Sequence, residues 1–157
     1  QIAFVSVLLL SSSLSNAQDV NKENPYQLVN DLGEKLFEAV TVAKETNKSS
    51  PKEMEKLIDD LLMPYIDVPF ASYKILGTHL RKTTKQERTD FVDVMSEELK
   101  EIYSSALAQY NNQSVRYDPV REVGNKKMVS VKTTLLSPDS SNIDMTFKLR
   151  KNRKTNK

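Results

Sequence analysis

Apolar residues recur every three or four positions through the first two-thirds of the chain, and every second position near its end. The change of period falls at about Tyr110. The clearest helical stretch is Thr84–Tyr110, with Phe91, Val94, Met95, Leu99, Ile102, Tyr103, Ala106, Leu107 and Tyr110 on one stripe. Lys85, Glu87, Arg88, Asp93, Glu97, Lys100 and Glu101 cover the other side. Thr84 followed three residues later by Glu87 is a capping-box signal, so the spacing predicts where this helix starts. Such a helix spans roughly 40 Å, about the width of a small domain.

Three shorter helices are predicted before it. Asn24-Pro25 opens the first, whose stripe is Tyr26, Val29, Leu32, Leu36, Phe37, Val40 and Ala43, with Gly33 a mild weakness. Ser50 and Glu53 repeat the capping box before Met54, Leu57, Ile58, Leu61 and Leu62, and Pro64 ends that second helix. A turn at Tyr65–Pro69 leads to a third helix over about Val68–Leu80. Beyond Tyr110, Ser114–Tyr117 reads as a short strand. Lys127–Leu136 and Ile143–Arg150 alternate, with Val129, Val131, Thr133, Leu135, Ile143, Met145, Phe147 and Leu149 on the dry side, and SPDSSN turns the chain between them. Helices followed by strands predict an α+β fold, with the helices packed on one face of a curved, mainly antiparallel sheet.

The first residues follow neither period. Ile2–Leu10 is an unbroken apolar run, too short for the roughly 20 residues that a spanning helix needs. Ser15 and Ala17 then supply small residues before Gln18, as in a cleavable export signal, so residues 1–17 are expected to be a signal peptide. Residues 18–157 are expected to form a single domain. The absence of an initial Met and of a basic leader suggests that the reading frame starts earlier. The polar end RKNRKTNK, after so few strands, predicts a further strand, so the domain is expected to be cut short at its C-terminus.

Composition removes several kinds of chemistry. The chain has no Cys, hence no disulfide, no thiolate zinc site and no thiol nucleophile. Three glycines provide no phosphate-binding loop, and no His/Asp/Glu spacing suits a metal, so neither cofactor nor metal is expected. The single His79 has no carboxylate at a helical i±3 or i±4 position to orient it and reads as a helix-face residue. Asp59-Asp60 and Glu97-Glu98 are neighbours that diverge on a helix and read as solvated faces. Tyr103, Tyr110 and Tyr117 read as core-edge residues rather than a base-stacking platform, and nucleic acid is not an expected partner. The net charge of +2 conceals an acidic helical part and a basic end; a basic end can meet phosphate or simply be a solvated strand end. What remains is an exported, non-catalytic domain with more apolar helix surface than its strands cover.

The order of motifs from Asp60 to Tyr110 resembles the MlaC-type, or toluene-tolerance, family of periplasmic phospholipid carriers. The matching features are Met63-Pro64-Tyr65-Ile66-Asp67, Leu76-Gly77, the Thr83–Phe91 segment, and Leu99 with Tyr103. Val129, Val131 and Phe147-Lys148-Leu149 extend the likeness, which covers roughly residues 25–151. Two departures stand out: Gln86-Glu87-Arg88 where the family has Gln-Arg adjacent, and His79 where an aromatic is common. The resemblance implies an NTF2-like fold enclosing an apolar cavity for acyl chains, with the headgroup near solvent. It also implies lipid shuttling between an outer-membrane lipoprotein complex and an inner-membrane ABC transporter, which maintains outer-membrane asymmetry. The family's later Trp-bearing strand, Tyr-Asp segment and final helix are not in this sequence.

On that footing the candidate lipid-binding residues are Phe70, Tyr73, Leu76, Phe91, Met95, Leu99, Tyr103, Val129, Val131, Met145 and Phe147. Plain core packing accounts for each of them equally well. Two alternatives stay open: an NTF2-like enzyme or binding protein for another small hydrophobic ligand, where an enzyme needs a buried titratable group, and a nucleic-acid or acidic-partner module using the basic end, with export counting against nucleic acid.

Overall fold

The sequence signals set the helix starts directly. In the computed structural model, which describes residues 20–137 and 141–152, helix α1 is Pro25–Glu45. Its N-cap Asn24 accepts hydrogen bonds from the Tyr26 and Gln27 amides. Helix α2, Pro51–Leu57, starts with the complete Ser50/Glu53 capping box. Helix α4, Lys85–Ala108, starts with the Thr84/Glu87 box. Each box satisfies amides that have no partner within the helix. The signal reading at residues 1–17, the middle of the SPDSSN turn and the last residues of the basic end lie outside the described residues.

Two helix ends differ from expectation, both for backbone reasons. After α2 the chain stays helical but widens into a π turn over Ile58–Leu62, where the Met63 amide donates to the Ile58 carbonyl, and then tightens into a 3₁₀ turn at Met63–Tyr65. An α-helix continued through Pro64 would drive the proline ring against the Asp60 carbonyl; the wider ladder removes that conflict. Helix α3 is Val68–Leu76, with Asp67 as N-cap accepting from the Phe70 amide, and it stops short of Leu80. Gly77 at φ +53 breaks the ladder, and Gly77–Lys82 continues as 3₁₀.

Strands β1 (Ser114–Tyr117), β2 (Met128–Leu136) and β3 (Ile143–Arg150) form an antiparallel sheet in the order β1-β2-β3. The register pairs Val115 with Leu135 and Tyr117 with Thr133, and on the other side Val129 with Leu149, Val131 with Phe147, Thr133 with Met145 and Leu135 with Ile143. Directly paired residues share a face, so these side chains form one continuous surface. Helix α1 crosses it at Gly33. A Cβ on Gly33 would lie 2.4 Å from the Tyr117 hydroxyl oxygen, so glycine here permits the close approach of helix to sheet.

The main core is helical. Leu36, Val40, Met54, Ile58 and Leu107 form a buried cluster, with Phe37, Tyr103 and Tyr110 packed around it. The Phe37 and Tyr110 ring centroids lie 4.5 Å apart. Lys44 donates to the carbonyls of Ala108 (3.0 Å) and Tyr110, placing a cation on the C-terminus of α4 where the helix dipole favours it. The chief packing partners of α4 are α2 and α3, so the long helix lies beside the other helices rather than directly on the sheet. Among the described residues no helix is long and apolar enough to cross a membrane.

Candidate functional site

The sheet surface and the flanks of α3 and α4 hold the candidate residues. On β2 and β3, Val129 and Met145 are half-buried, Val131 is fully buried, and Phe147 keeps 36% of its surface exposed. Phe147 lies directly opposite Val131, so one half of this pair is core and the other is wall. On α3, the buried side is Val68 and Ser72, with Leu76 continuing it at the next interval of four, whereas Phe70 and Tyr73 lie away from it. Phe70 and Leu76 are half-buried and Tyr73 is 39% exposed. On α4, Phe91, Met95, Leu99 and Tyr103 follow one another at intervals of four, all half-buried. Val94 and Ile102, expected on the same buried stripe, are each 58% exposed and belong to the outer surface. Only Leu107 of α4 is fully inside.

Two candidates have other engagements. Tyr103 packs against the helical core cluster, which explains its burial without a ligand. The Phe70 ring is flanked by cations: the Arg150 guanidinium carbon lies 4.5 Å and the Lys74 Nζ 5.6 Å from its centroid. Arg150 also forms an ion pair with Asp67, the N-cap of α3, so the end of β3 is tied to the start of α3 through one side chain. Apart from the buried Val131, the remaining candidates are incompletely buried positions on faces of the sheet, α3 and α4 among the described residues. A hollow of ≈410 Å³ on α4 is lined by Asp93, Val94, Ser96, Glu97 and Glu98, on the outer side of the helix and away from every candidate.

A smaller hollow, ≈100 Å³, lies at the end of the sheet surface and was not singled out by the sequence reading. Pro25, Leu28, Val123, Val129 and Leu149 supply its apolar lining, and Lys22, Glu23, Lys126, Lys127, Arg150 and Lys151 its polar lining. Of the candidate set, only Val129 reaches it. Leu149 was legible as a dry-face position, but Leu28 and Pro25 come from α1 and meet it only through the packing of helix on sheet.

Titratable groups at this surface are few. Burial pushes the Tyr117 hydroxyl up to about 12, with the Glu34 carboxylate and Tyr110 adding to the effect. Tyr117 therefore stays protonated at neutral pH and offers a donor rather than a base. Ser72 Oγ, on the buried side of α3, and Thr133 Oγ1, on β2, have no hydrogen-bond partner among the described residues. No group of three or more His, Cys, Asp or Glu among the described residues could hold a metal ion. His79 is exposed in the 3₁₀ turn after α3.

Comparison with known proteins agrees with this fold. The solved phospholipid-binding protein from Ralstonia solanacearum, determined in complex with a phospholipid, superposes with a TM-score of 0.69. That match covers 80% of this chain and 69% of that one at 18% identity, which establishes the shared fold. The intermembrane phospholipid transport system binding protein MlaC of Haemophilus influenzae is 23% identical over 152 residues, covering 96% of this chain and 71% of the relative. The toluene tolerance protein ttg2D of Pseudomonas putida is 27% identical over 117 residues, and the match spans 73% of this chain and about half, 54%, of that protein. The MlaC protein family model matches residues 30–157, and the chain belongs to the MlaC family.

Proposed function

We propose that this chain is a phospholipid carrier of the cell envelope, which holds acyl chains against the apolar wall of the sheet, α3 and α4. The observation that carries this reading is the incomplete burial of these apolar faces, with Phe147 exposed and Val129 and Met145 half-buried on the sheet, and Met95 and Leu99 half-buried on α4. A close-packed core would bury such residues, as the α1–α2 cluster does. The fold shared with a protein solved around a phospholipid supports the choice of ligand. Two acyl chains of about 16 carbons represent roughly 25 kcal/mol of gross burial at ~0.8 kcal/mol per methylene, so a carrier must offer a long dry surface. Within this reading residues 1–17 direct export to the periplasm and are removed. Residues 18–157 form the carrier domain, which exchanges lipid with an outer-membrane lipoprotein complex and an inner-membrane ABC transporter.

Purification of the full-length protein from a Gram-negative periplasm, followed by solvent extraction and mass spectrometry, is expected to recover phospholipid. Delipidated protein that takes no lipid back from vesicles would refute the proposal. Leu99→Trp probes the wall itself. On a ligand-facing surface the larger ring lowers lipid uptake while the melting temperature holds. In a close-packed core it costs ~1–3 kcal/mol of stability.

A further inference from the structure

The two long strands run one step past their apolar pairs. The Lys151 amide donates to the Lys127 carbonyl at 3.0 Å, which continues the β2–β3 ladder beyond the Met128–Arg150 pair and sets Lys127 opposite Lys151. By the alternation of the strands, both lysines fall on the same face as Val129 and Leu149. The face thus reads, from its end inward, Lys127/Lys151, Val129/Leu149, Val131/Phe147, Thr133/Met145 and Leu135/Ile143. Like charges directly opposite each other repel. Among the described residues neither lysine, nor the neighbouring Lys126, enters an ion pair.

All three line the ≈100 Å³ hollow, with Lys22 and Arg150 adding charge and Glu23 the one carboxylate. Lys22 is held 5.5 Å from the centre of the Tyr65 ring, and Arg150 is paired with Asp67. Uncommitted cations at one end, followed along β3 by the apolar Leu149, Phe147, Met145 and Ile143, match an amphiphile with an anionic head. On β3, where this face is incompletely buried, the row from position 149 to 143 extends about 20 Å, comparable with the ~15 Å depth of one hydrocarbon leaflet.

Resting on the carrier reading above, we infer that the Lys127–Lys151 hollow seats the phosphate of the bound phospholipid, whose acyl chains run from Val129/Leu149 along the sheet. A phosphate between the facing lysines replaces their repulsion with two charge-assisted contacts. Both side chains are exposed, so their exchange leaves the core untouched.

The test uses the full-length protein and its Lys127→Gln/Lys151→Gln variant, each delipidated and then loaded from vesicles containing either phosphatidylglycerol or diacylglycerol with the same chains. Bound lipid is counted after gel filtration, and bound phosphatidylglycerol is examined by phosphorus NMR. The variant is expected to lose phosphatidylglycerol about 10- to 30-fold while keeping its diacylglycerol loading and melting temperature. Equal phosphatidylglycerol loading and an unchanged phosphorus resonance in the variant would overturn the seat and leave the carrier reading standing. Failure of the wild type to load either lipid would overturn both. Glycerol 3-phosphate serves as the free-phosphate control. If it binds these lysines as tightly as the whole lipid, the hollow is a free-anion site and the amphiphile reading falls.

Discussion

The helical core and the sheet wall are made of similar side chains and treat them differently. Met54 and Ile58 are fully buried between α1, α2 and α4, and Leu36, Val40 and Leu107 close around them. On the sheet, Val131 reaches the same state, yet its direct partner Phe147 and the neighbouring Met145 and Ile143 do not. The contrast separates two uses of apolar surface. The core satisfies itself from within the described chain; the wall presents a row of side chains that a ligand or a further segment can complete. Hydrophobicity alone does not distinguish them, since Phe and Met are as apolar as Ile and Leu. What differs is whether a second packed element lies above.

Stability measurements should reproduce that contrast. Ile58→Ala, in the closed core, is expected to cost ~2–5 kcal/mol by chemical denaturation, from lost transfer energy and a cavity that cannot collapse. Phe147→Ala removes a larger side chain but is expected to cost only about 1 kcal/mol in the delipidated protein, while lowering lipid loading several-fold. Equal losses at the two positions would mean that the wall is core after all.

The junction between the two regions comes next in size. Gly33→Val places side-chain carbons where Tyr117 now lies, within 2.4 to 3.0 Å of its ring and hydroxyl atoms, and is expected to cost ~1–3 kcal/mol. Adding Tyr117→Ala should recover part of that loss, a coupling readable from a double-mutant cycle. Independent losses would show that α1 does not dock on the sheet through this pair.

The smallest effect is one of pH. Tyr117 has a folded-state value raised from 10.0 to about 12, chiefly by burial. A raised value means that the folded state holds its proton more tightly than the unfolded one. Its contribution is therefore full below pH 10 and is lost as the pH climbs toward 12. Ultraviolet titration should show Tyr117 ionising near its raised value, later than the ordinary tyrosine range, together with falling stability over that interval. Tyr117→Phe should remove the late step.

Much of the architecture was legible in the residues. Asn24-Pro25, Ser50/Glu53 and Thr84/Glu87 mark the helix starts because capping is a contact between near neighbours, and the period-two runs at 127–136 and 143–150 match the observed strands to within one residue. The helix ends were read less well. Pro64 acts on a carbonyl four residues back and is accommodated by a π turn, and Gly77 breaks α3 before its apolar pattern ends. The candidate wall was legible as a set of faces, but not the standing of its members. Tyr103 belongs with the core and Phe70 lies beneath two cations because of neighbours distant in sequence. The basic end looked like a solvated strand terminus. The alternating run already began at Lys127, and carrying the second run one residue past Arg150 would have put Lys151 on the same face, but only the register makes them a pair.

The sequence by itself therefore determined the elements, their starts and the dry face of each strand, because these depend on contacts within a few residues. Tertiary structure alone decided which apolar residues are enclosed and which remain as wall, why α1 carries Gly33, and where the small basic hollow lies. Those outcomes depend on residues brought together from α1, the loop before β2 and the far end of β3, and no local pattern encodes that meeting.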